Sequence, residues 1–187
     1  MKPTASSRSM LRSTSSISRR TLLGATGAAA IAAVGGTTSA HAQGGGYQNP
    51  VVPTNHPDPA VLHAEGAFWL YSTAGAMGAM PVLTSPDLVN WTEVGNGMPV
   101  IAPWSVPGRH WAPEVIRVGE RYLSYYTARR ADLDQQAISV AVAESPAGPF
   151  VDERTTPLIG QVDEGGSIDA SPFRDVDGSL WLLWKND

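Results

Sequence analysis

The sequence predicts an all-β protein assembled from repeated four-stranded units, the architecture of a β-propeller. Three observations carry this expectation. No window after residue 48 sustains a 3.6-residue apolar period, so amphipathic helices are not expected there. Short runs rich in β-branched and aromatic residues occur instead, punctuated by Gly, Pro, Asn and Asp. The runs also recur as a pattern in which a proline opens a strand, a tight turn with an acidic residue and a glycine follows, and an aromatic strand closes the hairpin.

The first 42 residues stand apart from this pattern. They contain Lys2, Arg8, Arg12, Arg19 and Arg20 and no acidic residue. A weakly apolar run from Leu22 to Gly36 follows, and Ala40-His41-Ala42 offers small residues at the positions a signal peptidase reads. Ser18-Arg19-Arg20-Thr21-Leu22-Leu23 further resembles a twin-arginine export signal. The apolar run is too short and too rich in glycine to span a bilayer comfortably. Residues 1–42 are therefore expected to be a cleaved signal peptide of twin-arginine type, so that the mature protein is secreted and keeps no membrane association. Cleavage would remove five basic residues and leave 8 Lys+Arg against 17 Asp+Glu, a net charge of −9. So acidic a surface argues against nucleic acid and anionic membrane as partners. The chain has no cysteine, which excludes a disulfide framework and a lipid-modified Cys. A monomer is expected.

Residues 43–48 form a Gly-rich linker, and residues 49–187 carry the β pattern. The first strand-like run is Phe68 to Thr73, the second Met80 to Thr84, the third Arg121 to Thr127, the fourth Ala137 to Ala143 and the last Ser179 to Trp184. Three segments starting at Pro59, Pro113 and Pro172 share the proline–strand–turn–strand pattern, at a spacing of 54 to 59 residues. After the first two, a Ser-Pro turn leads to an aromatic residue: Ser85-Pro86-Asp87-Leu88-Val89-Asn90-Trp91 corresponds to Ser145-Pro146-Ala147-Gly148-Pro149-Phe150. Each unit thus amounts to about four strands, as a propeller blade does. Asp187 falls just after the second strand of the third unit, so about two and a half blades are present. Because propellers close with roughly four to eight blades, the sequence is expected to be the N-terminal part of a longer protein.

The candidate chemistry lies where units begin, since the innermost strand of a blade lines the central channel. Asp58 stands between Pro57 and Pro59. Two prolines are expected to hold it in a stiff, extended backbone, which would keep a carboxylate aimed as a general base requires. The same residue types also suit a plain strand-opening turn. Asp169 precedes the third unit's proline by three residues, and Trp111 and Glu114 flank the second unit's. None of the acidic residues or histidines has metal-ligand spacing, and no cofactor is expected.

Asn55-His56-Pro57-Asp58-Pro59, Trp111-Ala112-Pro113-Glu114-Val115 and Ile168-Asp169-Ala170-Ser171-Pro172-Phe173 resemble, in this order, the successive blade-opening motifs of glycoside hydrolase family 43. The Ser85–Trp91 turn is similar to a further signature of that family. The resemblance covers about residues 47–187. It implies a five-bladed propeller that hydrolyses glycosidic bonds with inversion, mostly in arabinose- and xylose-containing plant polysaccharides. It implies Asp58 as the general base and Asp169 as the carboxylate that orients the general acid and raises its pKa. The acid itself would be a Glu in a later blade, which no residue here matches. Ala170 stands where the family often has proline, and an axial calcium ion is left open. Trp111 could stack on a sugar ring or pack in the core, and His56 could line the pocket or cap a turn. Glu114 reads as a structural hydrogen-bond acceptor, His63 as surface, and Asp175, Asp177 and Gly178 as a hairpin turn. Asp163, Glu164, Gly165 and Gly166 read as a loop that positions Asp169. Phe68, Trp69, Tyr122, Trp181 and Trp184 are expected to pack between blades. A non-catalytic carbohydrate-binding propeller and a retaining propeller glycosidase are the alternatives.

Overall fold

A computed structural model describes residues 47–187. The proposed signal peptide and residues 43–46 of the linker lie outside the described residues. Three antiparallel sheets follow one another along the chain.

The first sheet has four strands in sequential order, β1 (Ala60–Ala64), β2 (Ala67–Tyr71), β3 (Pro81–Ser85) and β4 (Thr92–Asn96). Its first hairpin closes through Glu65 and Gly66, both with positive φ (55° and 76°), so that Ala64 pairs with Ala67. Positive φ at both central positions matches the twist of the flanking strands, which is why so short a loop is stable. The Ser85–Trp91 turn joins β3 to β4. Its hub is Asp87, whose carboxylate accepts hydrogen bonds from the Val89 and Asn90 backbone N–H groups and from the Ser85 hydroxyl and Asn90 amide. Those donors, the Asn90 backbone first, hold its pKa well below the usual carboxylate range.

The second sheet consists of β5 (Ser105–Val118), β6 (Arg121–Arg130) and β7 (Gln136–Ala143). A full fourth strand was expected here, but only two isolated bridges are found, Val142 with Val151 and Ile138 with Ile159. Between those bridges Asp152 turns inward. Its carboxylate accepts from the hydroxyls of Tyr126 and Ser139, at 2.7 and 2.6 Å, and from the Arg154 N–H at 3.0 Å. A buried acid satisfied from three sides replaces the ladder that a regular strand would have made.

The third sheet is the hairpin β8 (Ile168–Arg174) and β9 (Leu180–Lys185). Its loop is the expected turn, with Gly178 donating to the Asp175 carbonyl. A 3-10 turn at Val162–Glu164 precedes β8.

β1 packs against β5, and β5 against β8. The first strand of each unit therefore neighbours the first strand of the next, as successive propeller blades require. A core of Tyr71, Met80, Val82, Met98, Trp104, Tyr122, Tyr126 and Phe150 joins the first two blades. Removing each such side chain from water contributes about 2–3 kcal/mol before entropy is counted. Polar bonds fix the register of the blades. The Tyr71 hydroxyl donates to the Pro146 carbonyl at 2.8 Å, and that of Tyr122 to Glu65 at 3.0 Å. Tyr122 and Trp69 thus pack between blades as expected. Trp181 and Trp184 do not: they are 56% and 43% exposed, because no described segment lies over β9. His63 is exposed, as expected, and its ring lies 4.7 Å from that of Phe68.

Candidate active site

One unusual backbone position marks the start of each unit. Asp58, Ala112 and Asp169 all have positive φ, at 50°, 41° and 54°. These residues are 54 and 57 positions apart, so the structural repeat runs through them. Prolines 59 and 113 are matched in the third unit by Ala170, not by Pro172, which lies further along β8. The extended backbone expected at Asp58 is thus corrected to a left-handed one. Flanking prolines do disfavour a helical φ, but the kink at a blade start is set by tertiary contacts. In the second and third units it falls where the strand pairing shifts register, between Trp111 and Glu114 and between Ile168 and Ser171. Aspartate tolerates this conformation better than most residues.

The blade starts bring three acidic side chains to one place, Asp58 and Asp169 at the kink itself and Glu114 two residues beyond it. Asp58, Glu114 and Asp169, from three successive units, line a single cavity of about 290 Å³ with Pro59, Ala60 and Ala112. Asp58 is exposed to it, and its Oδ2 accepts a 2.7 Å hydrogen bond from the Thr73 hydroxyl. The Asp169 side chain is 48% exposed, and its Oδ2 lies 3.2 Å from Lys185 Nζ. Glu114 accepts from the Ser171 hydroxyl at 3.0 Å, the acceptor role expected of it, while still facing the cavity.

Trp111 and His56, the two candidates for sugar contact, do not line this cavity. Trp111 is half-buried and borders a narrow apolar void with Met80, Met98, His110, Pro113 and Tyr126, too tight for a water molecule. His56 is half-buried and bonded through its ring to the hydroxyls of Ser72 and Thr54, at 3.1 and 3.0 Å. The loop before Asp169 is held by close approach: Gly166, at φ 125°, lies so near Gln136 that a Cβ would come within 2.7 Å of its carbonyl oxygen. Among the described residues, no group of three or more His, Cys, Asp or Glu side chains could hold a metal ion.

Thr73 and Lys185 were not singled out from the sequence. Strand pairing places Thr73, Thr127 and Lys185 at one recurring position across from the kink: the Thr73 N–H donates to the Pro57 carbonyl, Thr127 pairs with Trp111 and Lys185 pairs with Ile168. Sequence spacing gives no such signal, since Lys185 follows Asp169 by 16 residues where the two threonines follow residues 58 and 112 by 15.

These features define a class: a β-propeller whose blade starts converge on an acidic cavity. The comparisons with known proteins give the family. Residues 47–187 match the family model described as glycosyl hydrolases family 43, and the chain belongs to that family. It is 30% identical over 161 residues to a β-D-galactofuranosidase of Aspergillus niger, an alignment spanning 79% of this chain and 46% of that protein. It is 28% identical over 156 residues to the extracellular endo-α-(1→5)-L-arabinanase 2 of Bacillus subtilis, covering 68% of this chain and 32% of the relative. Its fold is similar to that of a family 43 enzyme from Xanthomonas citri solved with xylose, with a TM-score of 0.59 and 27% identity over 71% of this chain and 41% of the other. The chain spans less than half the length of these relatives.

Proposed function

We propose that the chain supplies the base-bearing half of a secreted glycoside hydrolase that cleaves arabinose- or xylose-containing oligo- or polysaccharides with inversion. The observation that carries this reading is the shared cavity of Asp58 and Asp169, which come from the first and third units and are far apart in sequence. Asp58 takes a proton from a water molecule as that water's oxygen attacks the anomeric carbon. The glycosidic C–O bond breaks on the opposite side, and the departing oxygen receives a proton from a general acid. A glutamate from a later blade fills that role in this reading. Inversion requires about 6.5–9.5 Å between the two catalytic carboxyl groups, to leave room for the water. Asp169 stands beside the acid and, as a like charge, disfavours its ionisation, keeping it protonated near neutral pH. The arabinan specificity named for one relative and the xylose bound by another support a pentose substrate. The basic, acid-free N-terminus with its Arg19-Arg20 pair supports twin-arginine export.

The test is hydrolysis of aryl α-L-arabinofuranosides and aryl β-D-xylosides by the full-length protein, with the first-formed anomer read by NMR. Inverted product is expected, and Asp58→Asn should lower kcat by about 10²- to 10⁴-fold. Retained anomeric configuration would reject the mechanism. Binding of pentose oligosaccharides without hydrolysis would identify a carbohydrate-binding propeller instead.

A further inference from the structure

Thr73 occupies a crossing point between the first two blades. Its backbone N–H donates to the Pro57 carbonyl at 3.1 Å. Its hydroxyl makes two bonds, to Asp58 Oδ2 at 2.7 Å and to the Ala112 backbone N at 2.8 Å. The direction of each is dictated by the partner. A backbone N–H can only donate, so Oγ1 accepts from Ala112. An ionised carboxylate can only accept, so the hydroxyl proton points at Asp58.

We propose that Thr73 is the positioning residue for the base: it fixes the Asp58 carboxylate through Oδ2 and leaves Oδ1 as the atom that takes the proton from water. This rests on the reading of Asp58 as general base. Among the described residues the Asp58 side chain makes no hydrogen bond besides the one from Thr73. Without it, an exposed carboxylate on a kinked backbone would sample several rotamers, few of them aligned with an attacking water.

The repeat within the chain separates the two jobs of this position. Thr127, at the corresponding place in the second unit, accepts the Asp169 N–H at 3.1 Å, the same link to the next blade. Its own unit carries Ala112 where the first carries Asp58, and so offers it no carboxylate at that place. Lys185, at the corresponding place in the third unit, meets the carboxylate of its own unit, Asp169, at 3.2 Å. The blade link thus occurs without a carboxylate, and a carboxylate contact recurs wherever the unit carries one. Among the described residues Thr73 makes both contacts, so docking of the second blade on the first aims the base.

The experiment compares four variants of the full-length protein on an activated aryl pentoside: Thr73→Val, Thr73→Ser, Asp58→Ala and the Asp58→Ala/Thr73→Val pair. Thr73→Val should lower kcat about 10- to 100-fold with KM changed less than about 3-fold, the mark of lost alignment rather than lost binding. Thr73→Ser, which keeps the hydroxyl, should stay within about 3-fold of wild type, and valine should cost less than about 2-fold once Asp58 is gone. Should Thr73→Val fail to fold, Thr73→Ala replaces it in the same cycle. An equal cost of valine in both backgrounds, a serine variant as poor as the valine one, or an unchanged kcat in Thr73→Val would overturn the proposal. An active Asp58→Ala would instead remove the base reading and this proposal together. An inactive Asp58→Ala beside a fully active Thr73→Val would remove this proposal alone.

Discussion

Asp169 and Lys185 show how little of a residue's role is visible in its strength as an ion pair. The two charged groups lie 3.2 Å apart but are 48% and 65% exposed. Solvent screens such a pair, and it is worth about 1 kcal/mol or less to stability. Its importance is where it stands, since it restrains a carboxylate on the wall of the acidic cavity. Lys185→Met is therefore expected to leave the urea unfolding midpoint nearly unchanged. If Asp169 acts as proposed, the same variant should lower kcat of the full-length protein by about 10-fold, because a freed carboxylate loses its fixed direction on the cavity wall. A large loss of stability with unchanged kcat would show the pair to be structural. Both carboxylates at 58 and 169 could be read from the sequence, because acids beside blade-opening residues are a local pattern. Thr73 and Lys185 could not. Nothing in Ser72-Thr73 or Trp184-Lys185 says which carboxylate lies opposite, since that depends on how two strands close.

The elements follow local rules more closely than the site does. Strand runs read from β-branched and aromatic residues fall on β2, β3, β6, β7 and β9 with small shifts at their ends. The tight turns fall where glycine allows them. Two glycines show different reasons for their presence. Gly66 serves the β1–β2 turn at φ 76° with open space around it, whereas Gly166 at φ 125° presses on the Gln136 backbone. Gly66→Ala should cost about 1 kcal/mol, for the left-handed backbone alone. Gly166→Ala should cost about 3 kcal/mol, for strain plus a backbone clash, and should also disturb Asp169 three residues on. Urea unfolding of the two variants under identical conditions checks the difference, and equal costs would refute the close-approach argument. The fourth strand of the second unit was misread because its run contains Asp152, which the fold turns inward to Tyr126 and Ser139. No local signal tells an inward carboxylate from one on a solvated strand face.

For the molecule as a whole, the core between the first two blades sets a pH limit. His110 is buried there, stacked on Tyr126 with ring centroids 5.7 Å apart. The Ser105 hydroxyl spends its proton on the Ala102 carbonyl at 2.8 Å, so His110 Nε2–H must donate to it at 3.2 Å. Nδ1 is left bare, without a partner among the described residues. Burial, which disfavours the charged form, pulls the His110 pKa from 6.5 down to about 4. Between these values the unfolded chain binds a proton that the folded one refuses, so stability falls as pH drops through this window. The loss is at most about 3 kcal/mol. Carboxylates held low, such as Asp87, Asp132 and Asp177, act below that window. Thermal midpoints of wild type should fall between pH 7 and pH 4.5, and His110→Gln should flatten that decline. An equally steep decline in the variant would place the acid sensitivity elsewhere. At this scale the sequence alone determined the all-β class, the blade-length repeat and the positions of two acids at unit starts, because strand periodicity and turn chemistry act over a few residues. Only the tertiary structure decided the left-handed backbone at Asp58, the grip of Thr73 on its carboxylate and the packing of Trp111 away from the acidic cavity. Each depends on side chains or backbone from different strands or units meeting in space, and such meetings are set by blade packing rather than by any local stretch of chain.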